Sequence, residues 1–227
     1  MKRFDELFHD HAAASLDKQL ALGDALGTHE WKFDLDSGRI TFTTGRLFSR
    51  KRITYAVQVL GTESEISNTW LWAWANEQTP VPSSLLHAAN RLKVIGDREG
   101  IVELAEPRID LETCTGHQLA MVASGLLAAN CYYRGPYEDG AVFLLIRDPS
   151  FPAPTFEPLS RVAVIFPQLL SNLEIADHKR CLLSYLGYYK LQVRDEGEAV
   201  TVETVSGMLM ADFDGQRRLT DLRVKTK

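Results

Sequence analysis

The chain has 227 residues, of which 45% are hydrophobic and 24% are charged, values that are ordinary for a folded globular protein. This length allows one large domain or two small ones. A formal net charge of −5 argues against nucleic acid as a partner, because phosphate binding depends on clustered Lys and Arg. Residues 46–52 (RLFSRKR) form the one dense basic stretch, and a solvated loop between strands explains it as well as an anion patch does.

The sequence carries no targeting pattern. Its first residues lack the apolar core and cleavage site of a signal peptide, and the longest weakly polar run, from Leu119, is too short to cross a bilayer. Three cysteines, an odd number, exclude a complete disulfide framework. We therefore expect a reduced, cytoplasmic protein that has no membrane partner and no cofactor.

The first half of the chain predicts helices and antiparallel strands. Phe4, Leu7, Phe8 and His11 have the spacing of an amphipathic helix that ends at Gly23 or Gly27. Later periodicities predict two strand pairs, a helix capped by Ser83 or Ser84 and closed near Gly96, a second helix, and two further strands. They cover residues 31–35 with 40–42, 53–60 with 69–76, 85–96, 116–129, 132–133 and 141–146.

The second half begins with a proline-rich connector. Residues 148–158 hold four of the nine prolines, which favours an extended segment. Two helical segments follow, with Pro167 inside or at the start of the first, and then four strands. They cover residues 162–173, 175–186, 189–194, 199–205, 208–213 and 219–224.

These elements predict an α+β fold built from antiparallel sheets with helices packed on their faces. We expect a Trp-rich part over residues 1–148 and a second part over 159–227, which either folds as a small unit or completes the same core. An α-β-β-β-β pattern occurs in both parts. Duplication and convergence of similar hairpins both explain it.

The stretch TWLWAWAN, residues 69–76, is the most unusual feature. On a strand, Trp70, Trp72 and Trp74 share one face, and the residues between them share the other. Because neither face is polar, we expect both to be covered. The rings then either belong to the core or line a cleft for a planar, sugar-like or cationic ligand, which Asn76 would orient.

Residues 130–137 form a second candidate site. The stretch gathers an amide, a guanidinium and tyrosines around a Gly-Pro turn, a mixture that is favoured on recognition surfaces. An ordinary strand edge is the alternative. If the turn lies beside the end of the tryptophan strand, the two features make one pocket. The candidate binding residues are Trp72, Trp74, Asn76, Asn130, Tyr132, Arg134 and Tyr137.

The motifs LGTES, TWLWAWAN and YYRGPYEDGAVFLL together resemble an uncharacterised bacterial domain family of unknown function. Members of that family carry an LG(S/T) strand end, a Trp-rich strand, and a Tyr-containing strand that runs into an apolar one. The resemblance covers about residues 1–150. It implies no activity and no catalytic residues.

Metal binding and catalysis have little support in the sequence. Cys114 with His117 and His178 with Cys181 have i, i+3 spacing that could suit zinc, but buried core positions explain them better. There is no G-x-S-x-G elbow, Gly-rich phosphate loop or H-E-x-x-H motif. Asp212-x-Asp214-Gly lacks the other ligands of a calcium loop.

The sequence therefore favours a non-catalytic binding or interaction protein of bacterial type, with an aromatic-lined cleft and either a protein partner or a small ligand. The alternative is a small enzyme, whose site would combine the tryptophan strand with Tyr132 and Arg134. No metal and no catalytic residue is predicted.

Overall fold

The computed structural model describes residues 3–45, 50–152 and 157–226. The helices are α1 Phe4–Leu26, α2 His87–Glu99, α3 Val102–Ala105, α4 Gly116–Leu126, α5 Pro158–Asn172 and α6 His178–Tyr188. The strands are β1 His29–Asp34, β2 Arg39–Thr44, β3 Lys51–Ser64, β4 Thr69–Trp72, β5 Arg108–Asp110, β6 Cys131–Tyr137, β7 Gly140–Ile146, β8 Val193–Asp195, β9 Ala199–Thr204, β10 Gly207–Phe213 and β11 Leu219–Thr226. None of the described helices is long and apolar enough to cross a membrane.

The first sheet has seven strands in the order β1-β2-β3-β4-β5, with β7 paired to β3 and β6 paired to β7. All its pairings are antiparallel. Strand β3 is its centre, because residues 51–56 pair with β2, 57–64 with β7 and 61–64 with β4. The register shifts by one residue between Val59 and Gly61, which leaves Leu60 as a β-bulge.

The second sheet is a meander in the order β11-β10-β9-β8. Alternate side chains on its central strands are buried, and helix α5 packs against β10 and β11. The buried side chains are Val200, Val202, Leu209, Ala211 and Phe213. The predicted α+β class, with antiparallel sheets and helices on their faces, is confirmed.

The chain divides into two compact units. The first unit contains Lys18–Pro152. The second contains Asp5–Asp17 of helix α1 and the described part of Ala153–Lys227. The sequence prediction assigned the whole of α1 to the first part. The two sheets differ in strand number and order, which favours convergence of hairpins over duplication.

Several predicted boundaries are wrong. Of the two ends predicted for helix α1, Gly27 is correct and Gly23 is wrong. The helix continues through Gly23 to Leu26, with Gly27 as its C-cap, because a single interior glycine costs only about 1 kcal/mol in a helix. Helix α2 begins at His87 after a short 3₁₀ turn, Ser83–Leu85, and it continues past Gly96 to a left-handed Gly100. Parts of the basic stretch 46–52 and of the connector 148–158 lie outside the described residues.

The predicted strand over residues 69–76 is also wrong in its second half. Strand β4 ends at Trp72, and residues Ala73–Ala75 form a 3₁₀ turn. The amide of Trp72 donates to the carbonyl of Pro107 at 3.1 Å, and the pairing with β5 ends there. Proline has no N–H group, so it cannot extend the ladder.

Trp70 and Trp72 belong to the core, and both are 0% exposed. Their rings meet edge to face at 5.2 Å, and Trp70 contacts Phe143 at 5.1 Å. The indole N–H of Trp72 donates to the carbonyl of Glu103 at 3.1 Å. The indole N–H of Trp70 has no acceptor among the described residues. The interior alternative is therefore correct for these two rings.

We expect Trp72→Phe to destabilise the protein more than Trp70→Phe, by about 0.5–1.5 kcal/mol, because only the first replacement removes a hydrogen bond. Both replacements remove a similar volume from a fully buried site, so each is the control for the other. Urea unfolding measures the difference. A larger loss for Trp70→Phe would contradict it.

In the second unit, buried charges are held by hydrogen bonds. The carboxylate of Asp17 accepts from Tyr185 at 2.7 Å, from Tyr189, and from Arg161 at 2.6 Å. Lys179 is buried, and its ammonium donates to Asp195 at 2.5 Å and to the carbonyl of Gly197 at 2.6 Å. Since every one of these charges has a partner, we assign this network to stability.

Two histidines of the second unit accept main-chain hydrogen bonds. Nε2 of His9 accepts from the amide of Ala176 at 3.2 Å, and Nδ1 of His178 accepts from the amide of Leu219 at 3.0 Å. A nitrogen that accepts a hydrogen bond carries no proton, so both rings are neutral here. Burial lowers the pKa of both side chains below the ordinary value of 6.5.

We expect the free energy of unfolding to fall as the pH drops below 6.5, because the unfolded chain then binds protons that the folded histidines refuse. Urea unfolding at about pH 7.5 and about pH 5.5 measures this change. The double variant His9→Gln/His178→Asn keeps an acceptor at each position, and it should show a smaller fall. An equal fall in the variant would exclude these residues as the cause.

Candidate functional site

The predicted site residues of the tryptophan stretch do not line a cleft. They are buried, or they make contacts with neighbouring residues. Trp72 is buried. Trp74 is half-buried, with the ammonium of Lys93 at 5.2 Å from its ring centroid. The side-chain oxygen of Asn76 accepts from the amides of Gln78 at 3.2 Å and Thr79 at 3.0 Å, so it closes a turn.

Asn130 and Tyr132 also have structural partners. The side-chain oxygen of Asn130 accepts from the amide of Asp148 at 2.9 Å, at the end of the sheet where β7 finishes. Tyr132 is buried and shares a hydrogen bond of 2.9 Å with Nδ1 of His117. Its ring stacks on Phe143, which in turn contacts Trp70. A filled aromatic layer thus lies where the sequence suggested a pocket.

Arg134 and Tyr137 come together at Glu63, a residue that the sequence analysis missed. The guanidinium of Arg134 contacts the carboxylate of Glu63 at 2.5–2.6 Å and that of Glu65 at 3.5 Å. The hydroxyl of Tyr137 donates to the carbonyl of Glu63 at 3.3 Å. Glu63 is nearly buried, so the ion pair with Arg134 stabilises a charge that would otherwise be costly to bury.

The N-terminus of helix α4 lies against the same carboxylate. A Cβ atom on Gly116 would be 2.7 Å from Oε2 of Glu63 and 2.8 Å from the ring of Phe143. The positive end of the helix dipole therefore faces the carboxylate. Desolvation lowers the pKa of the neighbouring His117, and the charge of Glu63 partly opposes that shift. The edge of the His117 ring still reaches solvent.

The opposite face of the sheet is open at this end. The ladder places one residue from each of five adjacent strands in a row, and the next row toward the turns lies on the same face. We call these two rows the open face. They are Gly135, Val142, Thr62, Leu71 and Arg108, followed by Tyr137, Gly140, Ser64, Thr69 and Asp110.

Apart from the two glycines, every residue of the open face is half-buried or exposed. Helices α2 and α4 pack on the other face, where Ala88 donates its amide to Gln58 and His117 contacts Phe143. The expectation that both faces of the tryptophan strand are covered is therefore correct for the face of Trp70 and Trp72, whereas the other face is only partly covered. Leu71, which lies between the buried Trp70 and Trp72, is half-buried on the open face.

Trp31 of strand β1 borders the open face. A Cβ atom on Gly135 would be 2.5 Å from the Trp31 ring, so the indole lies directly over this glycine. The half-buried Trp31 also contacts Tyr133 at 5.7 Å. The sequence predicted that Trp31 lies on a strand, but no local signal pairs it with Gly135, about a hundred residues later.

The three turns beside the open face are adjacent. The amide of Glu65 donates to the carbonyl of Asp139 at 2.9 Å, and the amide of Leu111 donates to that of Asn68 at 3.0 Å. Two large apolar side chains stand out here, with Ile66 78% exposed and Tyr137 50% exposed. Hydroxyl, aromatic, aliphatic and charged groups are thus mixed on one accessible surface, a composition suited to recognition.

The residues weighed as zinc ligands have other environments. Cys114 and Cys181 are buried, and burial raises the pKa of the Cys181 thiol to about 12. The thiol of Cys114 donates to the carbonyl of Thr115 at 3.7 Å. Within residues 3–45, 50–152 and 157–226, no group of three or more His, Cys, Asp or Glu side chains could hold a metal ion.

Fold and site together define an α+β protein whose first sheet is covered by helices on one face and is uncovered, with mixed polarity, at the turn end of the other face. The chain belongs to a family of unknown function, DUF6882, whose profile matches residues 5–149. That match includes every strand of the first sheet and none of the second. Comparison with curated proteins and with solved structures found no match.

We expect Gly116→Ala to destabilise the protein by about 1–3 kcal/mol, because the new methyl group overpacks Phe143 and the carboxylate of Glu63. Gly187→Ala in helix α6 is the control, since a Cβ there meets nothing within 4 Å. That replacement should stabilise by up to about 1 kcal/mol. Thermal or urea unfolding measures both, and equal effects would contradict the crowding at Gly116.

Proposed function

We propose that this protein is a non-catalytic binding protein and that the open face is its recognition surface. The observation that carries the proposal is the contrast between the two faces of one sheet. On the helix-covered face, Trp70, Trp72 and Phe143 are fully buried. On the open face, the same strands present half-buried or exposed side chains across five strands.

The side chains of the open face support contact with a partner. Leu71, Val142 and the neighbouring Trp31 supply apolar area, and Thr62 and Thr69 supply hydroxyl donors and acceptors. Backbone ladders hold these groups in place, so little conformational entropy is lost on binding. This surface extends across five strands, which suits a protein partner better than a small molecule, because small molecules bind in concave sites.

The cluster of Glu63, Arg134 and Tyr137 holds the ends of strands β6 and β3 in position. Glu63 is committed to Arg134, and Arg134 is shared between two glutamates. Tyr137 reaches the open face from β6 and is held by its hydrogen bond to the Glu63 carbonyl. The cluster thereby fixes the end of β6 and β3, where the recognition surface finishes. The enzyme alternative stays a prediction, with no further support from these contacts.

We expect Thr62→Arg to weaken partner binding by about tenfold or more, because a long charged side chain would stand in the middle of the open face. Thr201→Arg is the matched control, since Thr201 is a half-buried threonine on a central strand of the second sheet. Affinity capture from native lysate would use wild-type protein and both variants, after circular dichroism has shown that all three are folded.

A protein retained by the wild type and by Thr201→Arg, and lost from Thr62→Arg, supports the proposal. Equal retention by all three baits would place the interaction elsewhere. Turnover in a broad substrate screen, with no protein retained by any bait, would favour the enzyme alternative instead.

A further inference from the structure

The turns that border the open face are strongly acidic. Their exposed carboxylates form what we call the acidic rim: Glu65, Asp110, Glu112, Glu138 and Asp139. The main-chain bonds between neighbouring turns hold these residues at the same end of the sheet. Five of the 30 Asp and Glu residues of the chain thus lie at this end of the sheet.

The rim is neutralised only in part by its surroundings. Arg134 is engaged by the carboxylate of Glu63 at 2.5 Å, and it is 3.5 Å from Glu65. Glu112, Glu138 and Asp139 form no ion pair with any residue that the structure describes. Arg108 is the one cation of the open face itself. The electrostatic potential at this end of the sheet is therefore negative, and it attracts cationic partners.

Exposed apolar and aromatic groups accompany the carboxylates. Ile66 projects from the middle turn and is 78% exposed, and Tyr137 is 50% exposed. The half-buried Trp31 borders the same face. Tyrosine and tryptophan rings attract Lys and Arg through cation–π interactions, and the nearby carboxylates attract the same cations by their charge. Charge and apolar area thus favour the same kind of partner.

We infer that the open face, with its acidic rim, docks a basic protein segment that combines Lys or Arg side chains with at least one large apolar side chain. This inference rests on the proposed function and specifies the partner. The carboxylates select the charge and accelerate association, whereas Ile66, Leu71 and Val142 bury the apolar side chain. Because the rim is exposed, the affinity should fall as ionic strength rises.

The test uses a fluorescein-labelled peptide of repeated Lys-Lys-Leu triplets and measures fluorescence anisotropy with the full chain at low ionic strength. We expect saturable binding that Glu112→Lys/Glu138→Lys weakens by about tenfold or more. Glu196→Lys/Glu198→Lys is the control. It changes two exposed glutamates of the second unit and alters the net charge equally, and it should bind within about twofold of wild type.

A second comparison tests the apolar part. A Lys-Lys-Ser peptide, and separately the Ile66→Ser variant with the first peptide, should each bind several-fold more weakly. Absence of saturable binding to wild type, or an equal loss in both charge-reversed variants, would overturn the inference, since the second result means unspecific attraction to an acidic protein. Tight binding of the serine peptide would likewise exclude an apolar contact.

The two proposals can fail separately. If Thr62→Arg abolishes capture of a cellular partner and the rim variant does not, the open face is the binding surface and the partner is not basic. If the rim variant loses the partner and Thr62→Arg keeps it, the open face is not the surface.

Discussion

The β-bulge at Leu60 decides how the central strand divides its side chains between a buried face and an open one. Before the bulge, Val57 and Val59 oppose Ile146 and Leu144 of strand β7. After it, the register places Gly61 opposite Phe143 and Glu63 opposite Ala141, on the other face. A strand without the extra residue would have put Glu63 on the same face as Val59. The bulge therefore turns Glu63 toward Arg134 and helix α4, and Thr62 toward the open face.

Three glycines at this end of the sheet lie where other groups approach the backbone closely. Gly61 admits the Trp70 ring, since a Cβ atom there would be 2.6 Å from it. Gly116 admits the carboxylate of Glu63, and Gly135 admits the Trp31 ring. Each glycine lets a large or charged group approach the backbone. These contacts pack the helix-covered face closely around Trp70 and Glu63, and they place Trp31 at the border of the open face.

Much of this architecture could be read from local pattern. The alternation around Trp31 and Ile40, and the Asp139-Gly140 turn, depend on period and turn chemistry within a few residues, and both hairpins form. The burial of Trp70 and Trp72 is one of the two alternatives that a strand without polar positions left open, and the pattern alone did not decide between core and cleft. The end of β4 could not be foreseen, because it depends on Pro107 of the neighbouring strand. The open face could not be predicted either, because it depends on pairings between residues as distant as Leu71 and Arg108. The β-bulge that places residues on this face is marked in the local sequence only by Gly61.

The composition of the open face also favours some binding partners over a second copy of the same chain. A symmetric dimer formed through this face would bring the same patch of both copies together, and an arrangement that aligns the turns of the two copies would place one acidic rim against the other. Like charges at close range oppose such an arrangement, whereas the apolar row of Leu71 and Val142 would favour it. Carboxylates that border an apolar surface thus act against self-pairing while they leave that surface accessible to a partner of opposite charge. The recognition surface that we propose therefore includes the acidic turns as well as the uncovered end of the sheet face.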